Sequence, residues 1–141
     1  PPVRTMDSLL HTLKAFSDRT RLRILLLLRG RELCVGQIMA ALELSPSTVS
    51  KHVAVLKAVG LVSDRKSGKW VYCSLSSPVP GEEKETLFSL IARELSDSQE
   101  ILSDRKRLEK VLAIPPETLC EIFRSHPRIR PIGSTQSVLS V

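Results

Sequence analysis

At 141 residues the chain has material for one modest core and little more. A 42% hydrophobic share with only 4% aromatics predicts a Leu/Val/Ile core, and it excludes both a disordered polymer and a surface built for stacking bases or sugars. The net charge of +6 is lopsided: residues 1–76 hold 12 Lys/Arg against 5 Asp/Glu, and residues 77–141 hold 9 against 10. A basic half-chain implies a polyanionic partner or a solubilising surface, and charge alone does not choose between them. No stretch nears the roughly 18 apolar residues of a membrane span, and no signal peptide is legible, so the expected compartment is the cytoplasm, with no membrane partner. Three widely spaced cysteines, Cys34, Cys73 and Cys120, fit reduced thiols better than a disulfide framework.

In chain order, residues 1–5 read as a leader. Met6, Leu9, Leu10, Leu13 and Phe16 then recur at helical spacing. Ser17-Asp18 caps a second helix from Arg19 to about Arg29, with Ile24 to Leu28 buried, and Gly30 ends it. A short helix is predicted over Val35 to Leu42, followed by a tight turn at 43–45. Ser45-Pro46 supplies an N-cap and first helical residue for a helix reaching about Val59, whose buried stripe is Val49, Val53 and Leu56; Gly60 stops it. The period then changes. Residues 61–66 and 69–75 read as two strands joined by Ser67-Gly68, with Val71, Cys73 and Leu75 on one face and Trp70, Tyr72 and Ser74 on the other. After a connector containing Pro78 and Pro80, one long amphipathic helix is expected from Glu82 to Leu112, carrying Leu87, Ile91, Leu95, Leu102 and Leu108. Pro115-Pro116 breaks it. Residues 113–141 form an extension, with a short helix at 117–124 and a tail from 127.

Two short helices around a three-residue turn, followed by a hairpin, describe a winged helix-turn-helix. The fold class is mostly α with a two-stranded β-wing, in the order α-α-α-α-β-β-α, within a domain of residues 6–112. A reading helix must present slim, polar or basic residues to a major groove. Ser47, Lys51 and Ala54 point away from the buried stripe, and Thr48 and Ser50 flank them. His52 lies nearer the buried side, where packing or a phosphate contact competes with base readout. Arg65, Lys66 and Lys69 cluster near the wing tip, placed to meet neighbouring phosphates. Double-stranded operator DNA is the expected partner.

The runs FSDRTRLRILLLL (16–28), ELCVGQI (32–38), SPSTVSKHVAVLKAVGLV (45–62) and DRKSGKWVYCSL (64–75) together resemble the arsenic-repressor (ArsR/SmtB) family. The resemblance is close over residues 6–76 and rests on position and length alone over 82–112. It implies a dimeric repressor that leaves its operator when an inducer binds. It places DNA contacts on Ser47, Thr48, Ser50, Lys51 and the wing residues Arg65, Lys66 and Lys69. It also implies a homodimer interface through the first helix and the 82–112 helix, including Leu87, Ile91, Leu95 and Leu102.

The inducer site departs from the pattern. Where arsenic-sensing relatives carry Cys-Val-Cys-Asp-Leu-Cys, this chain has Cys34-Val35-Gly36-Gln37-Ile38-Met39, so one thiolate of three remains. The His and carboxylate pairs of zinc-sensing members are also missing, since no His lies between 53 and 125. The trio Asp97, Glu100 and Asp104 reads as a solvated face. A relocated thiol site on Cys34 and Cys120, with trivalent arsenic or antimony as inducer, is the remaining metal reading; Cys73 reads as a core residue. An organic inducer, or none, is the alternative within the repressor reading. Outside it stands an interaction module for protein or RNA. With no phosphate loop and no nucleophile–base pair, an enzyme is not expected.

Overall fold

A computed structural model describes residues 5–76 and 82–119. Helix α1 (Met6–Phe16) starts at Thr5, whose hydroxyl accepts from the Ser8 backbone N–H. Helix α2 (Arg19–Leu27) starts at Asp18, whose carboxylate accepts from the Arg21 N–H. Both caps satisfy donors that a helix start leaves orphaned. All five residues from Ile24 to Leu28 are buried, as their unbroken apolar character predicts. Gly30 takes a left-handed φ of 73°, which lets the chain reverse.

Strand β1 (Leu33–Cys34) leads straight into α3 (Val35–Leu42), and α4 (Pro46–Ala58) follows. Between the two helices Glu43 adopts φ 61°, an uncommon conformation for a side chain with a Cβ, and its N–H bonds the Met39 carbonyl. On α4, Val49, Val53 and Leu56 are buried, and Ser45 with Pro46 starts the helix, as expected.

Strands β2 (Val62–Ser67) and β3 (Trp70–Leu75) form the hairpin, with Val62 opposite Leu75 and Ser67 opposite Trp70. The two-residue loop is therefore Gly68-Lys69, one position later than Ser67-Gly68. Gly68 has φ 61° at the first loop position, where a II′-type hairpin turn takes glycine. The two-stranded wing also gains a neighbour. β1 pairs with β3, Leu33 opposite Cys73 and Cys34 opposite Tyr72, giving a three-stranded sheet in the order β1-β3-β2.

The single helix expected over 82–112 is two: α5 (Glu82–Glu94) and α6 (Gln99–Leu112). Leu95 to Asp97 form a turn and Ser98 is an extended N-cap. Ser and Asp compete with the backbone for hydrogen bonds and favour such breaks; the Ser96 hydroxyl donates to the Arg93 carbonyl here. α6 packs against α2 and α3. Arg19 reaches Glu100 at 3.2 Å and Arg23 reaches Asp104 at 2.9 and 2.8 Å, so α2 and α6 run side by side in the same direction.

This packing overturns two expectations. Asp104 is not solvated: its carboxylate is buried, and it also accepts from Arg107 at 2.6 Å. Leu108 is fully buried inside the protein's own core rather than lying on an outer seam. The core continues past α6, since residues 116–119 make one helical turn with Leu119 buried. The expected helix at 117–124 is described only as far as 119. The connector at 77–81 and the tail from 127 lie outside the described residues.

Candidate nucleic-acid interface

The outward face of α4 carries Ser47, Ser50, Lys51 and Ala54, all exposed. Thr48 is half-buried; its hydroxyl lies 2.8 Å from Ser45 Oγ and so takes part in the helix cap. His52 turns inward. Its Nδ1 sits 3.2 Å from Arg21 Nη1 and 3.9 Å from Asp18 Oδ1, against the start of α2. A neutral imidazole can accept from the guanidinium there. Burial is the main cause holding its pKa below the ordinary value, and the charges of Arg21 and Lys51 add to it against the opposing pull of Asp18.

The three wing cations have separate fates. Lys66 and Lys69 are exposed, with the Lys69 ammonium 5.4 Å from the Trp70 ring centre. Arg65 is exposed but engaged: Nε and Nη2 donate to the two Glu32 oxygens at 2.8 and 2.6 Å, and the guanidinium lies 4.6 Å over Tyr72. That bidentate bond raises the Arg65 pKa and lowers that of Glu32. Lys57, late on α4, bonds Asp64 of β2 at 2.8 Å and fastens the wing to the helix.

Three anchoring residues were not among the sequence candidates. Arg21 donates from Nε to the Ala15 carbonyl and from Nη2 to the Lys14 carbonyl, at 2.9 and 2.7 Å, closing the end of α1. Lys84 of α5 donates to the Val59 carbonyl at the end of α4, 2.7 Å away. Glu32 is the third. Only Arg21 left a trace in the sequence, three residues after the Asp18 cap; the partners of the other two are distant in the chain.

The thiols are sealed. Cys34 is 1% exposed at the start of α3, where its N–H bonds Gln37 Oε1 at 2.9 Å. Cys73 is fully buried, and burial is the main cause pushing its thiol up to about 11, with Asp64 adding to it. That matches its expected place in the core. Cys120 lies outside the described residues, among which no group of three His, Cys, Asp or Glu could hold a metal ion.

An apolar face opens elsewhere. Met6, Leu9, Leu10 and Leu13 of α1 are 72%, 48%, 44% and 41% exposed, and Leu90 of α5 is exposed too. Phe16 meets Phe88 at 6.5 Å between ring centres and joins the two helices. Leu87, Ile91 and Leu95 are half-buried around α5, and Leu102 is half-buried on α6.

The family description "Bacterial regulatory protein, arsR family" matches residues 18–64, from the cap of α2 into β2. HlyU from Vibrio cholerae N16961 shares 35% identity at a TM-score of 0.56, over 64% of this chain and 95% of that one. The chain belongs to the bacterial ArsR family. A second neighbour is described as the homodimeric winged helix-turn-helix DNA-binding domain Mb0332 of Mycobacterium bovis, a possible ArsR-family regulator. It shares 30% identity at a TM-score of 0.55, over 67% of this chain and 84% of that one. The arsenical resistance operon repressor of Escherichia coli K12 is 47% identical over 68 residues, which are 48% of this ArsR-family chain and 58% of the repressor. The chain thus spans little more than half of that relative. No helix among the described residues is long and apolar enough to cross a membrane.

Proposed function

We propose that this chain is a homodimeric transcriptional repressor that binds operator DNA. One observation carries the reading: α4 buries Val49, Val53 and Leu56 while Ser47, Ser50 and Lys51 stand exposed beside a wing bearing Lys66 and Lys69. A slim polar face on a Pro-started helix suits the major groove, and cations on the adjoining hairpin suit flanking phosphates. Thr48, His52 and Arg65 join the contact set at its edges, each already holding a partner within the protein. The repressor dimerises through α1 and α5, whose outer apolar residues need a cover, with Leu87, Ile91, Leu95 and Leu102 at or near the seam. It works in the cytoplasm, on DNA.

The test is enrichment of duplexes from a randomised pool, followed by a salt titration. Specific binding with a steep salt dependence supports the reading; equal affinity for RNA, or none for duplex, overturns it. Lys51→Ala is expected to weaken the enriched site and relax its sequence preference.

The name of the Escherichia coli relative, an arsenical resistance operon repressor, favours an arsenical as inducer; the proposed site is the thiol pair Cys34 and Cys120, which suits trivalent arsenic or antimony. With Cys34 sealed, such a ligand enters only when the start of α3 opens. Cys34→Ser and Cys120→Ser should each abolish release of DNA by arsenite or antimonite; release that persists in both, or a parent blind to both, overturns the thiol site.

A further inference from the structure

Helix α4 is held at its middle and at its end by cations from other elements. At its middle His52 meets Arg21, and the same guanidinium holds the Lys14 and Ala15 carbonyls at the end of α1. At its end the Val59 carbonyl, one of the acceptors a helix terminus leaves unpaired, takes the Lys84 ammonium of α5. Neither contact is a surface accident. The Arg21 side chain is 14% exposed, with all three guanidinium nitrogens placed on partners, and Lys84 is half-buried. Arg21 sits on α2 and ties α4 to the end of α1, while Lys84 comes from α5 itself; α1 and α5 are the helices with exposed apolar faces.

We infer that Arg21 and Lys84 are positioning residues that fix α4 relative to the dimer seam and so set the half-site spacing the protein accepts. This rests on the repressor reading. In a two-fold dimer, the distance and angle between reading helices are measured from the seam, so any slack between α4 and the seam helices appears twice. One inserted base pair moves a half-site by about 3.4 Å, a shift that a rigidly held pair of helices rejects and a loosely held pair absorbs. Two charge-assisted hydrogen bonds to backbone carbonyls at the end of α1, and one at the end of α4, supply that rigidity without touching DNA.

The experiment uses the full chain, the duplex it enriches, and versions of that duplex with half-sites moved one base pair apart or together. Lys84→Met and Arg21→Lys are compared with the parent for affinity, dimerisation and melting. Each variant is expected to lose about tenfold on the enriched spacing, the weight of one charge-assisted bond. Each should stay within about twofold of the parent on the respaced duplexes, since those contacts are mainly with phosphates. Preference between spacings therefore collapses while dimerisation and the salt slope stay put. Lys84→Met covers the case in which Arg21→Lys melts early, because its bond lies at a helix end. A folded, dimeric Lys84→Met protein with the parent's spacing preference overturns the inference alone. A parent that enriches no duplex overturns the repressor reading, and this inference with it.

Discussion

Glu32 already occupies both donors on one edge of Arg65, so this wing cation is partly neutralised before it offers a phosphate its remaining N–H groups. Lys69 has no such competitor among the described ion pairs. Counterion release scales with cations newly placed on phosphates. Lys69→Ala is therefore expected to lower the log–log salt slope by roughly 0.9, and Arg65→Ala by clearly less. Glu32→Gln frees Arg65 and should raise duplex affinity at low salt by about twofold or more, with a steeper slope. An unchanged slope in Glu32→Gln would show that Arg65 never leaves the protein's own surface. At His52 the sign follows from its depressed pKa. The unfolded chain takes up this proton first, so stability is flat above about 6.5 and falls as pH drops toward the folded-state value. Asp18, held below 3.8, acts in a lower window. Chemical denaturation of the parent at about pH 7 and pH 5 should show this loss, and His52→Gln should shrink it; equal losses in both proteins would place the acid sensitivity elsewhere.

Helix α6 fastens the helix-turn-helix from behind. Arg107 donates to the Ala41 carbonyl at 2.8 Å and pairs with Glu43 at 3.1 Å, while Arg23 reaches the Leu42 carbonyl at 3.3 Å. Asp104 holds both guanidinium groups in place. Removing it leaves two partly buried cations facing each other across a void, so Asp104→Ala should cost about 3 kcal/mol of stability in denaturant melts. Asp104→Asn, which keeps the shape and two acceptor lone pairs, should cost less. A loss under about 1 kcal/mol for Asp104→Ala would mean that water serves the arginines equally well. The tie between α6 and α2 was not legible in the sequence, because Arg23 and Asp104 lie 81 residues apart and an acidic residue on an amphipathic helix reads as solvated, even with Arg107 three residues on. By contrast α3 and α4 were legible to within a residue, since their apolar period, the Ser45-Pro46 start and Gly60 all agree. β1 escaped because two residues carry no period. The break before α6 escaped because Leu95 and Leu102 keep a helical phase across it, although Ser96, Asp97 and Ser98 are cap-forming residues.

For the whole molecule, the exposed face of α1 needs a cover. Four large apolar side chains on one helix, with Leu90 nearby, exceed the scattered exposure usual on a monomer. Withdrawing the half or so of each that is still exposed contributes about 1 kcal/mol apiece, and the same four residues on a second copy double the gain set against the cost of association. Leu10→Asp and Ile91→Asp are each expected to give folded monomers by sedimentation, with operator affinity lost because a half-dimer grips one half-site. A parent that sediments as a monomer at about 10 μM would leave the face without its cover.

The third strand of the wing has a kinetic meaning. β2 and β3 are neighbours in the chain, and such hairpins zip within about 1–10 μs. Leu33 and Cys73 meet only across about 40 residues, a loop whose closure waits until α3 and α4 have found each other. The wing therefore has two lifetimes: a local one for its tip, and a global one for the edge that β1 shares with the helix-turn-helix. Native-state hydrogen exchange should separate them, with amides near Gly68 opening in isolation and those of Leu33 and Tyr72 opening only with the core.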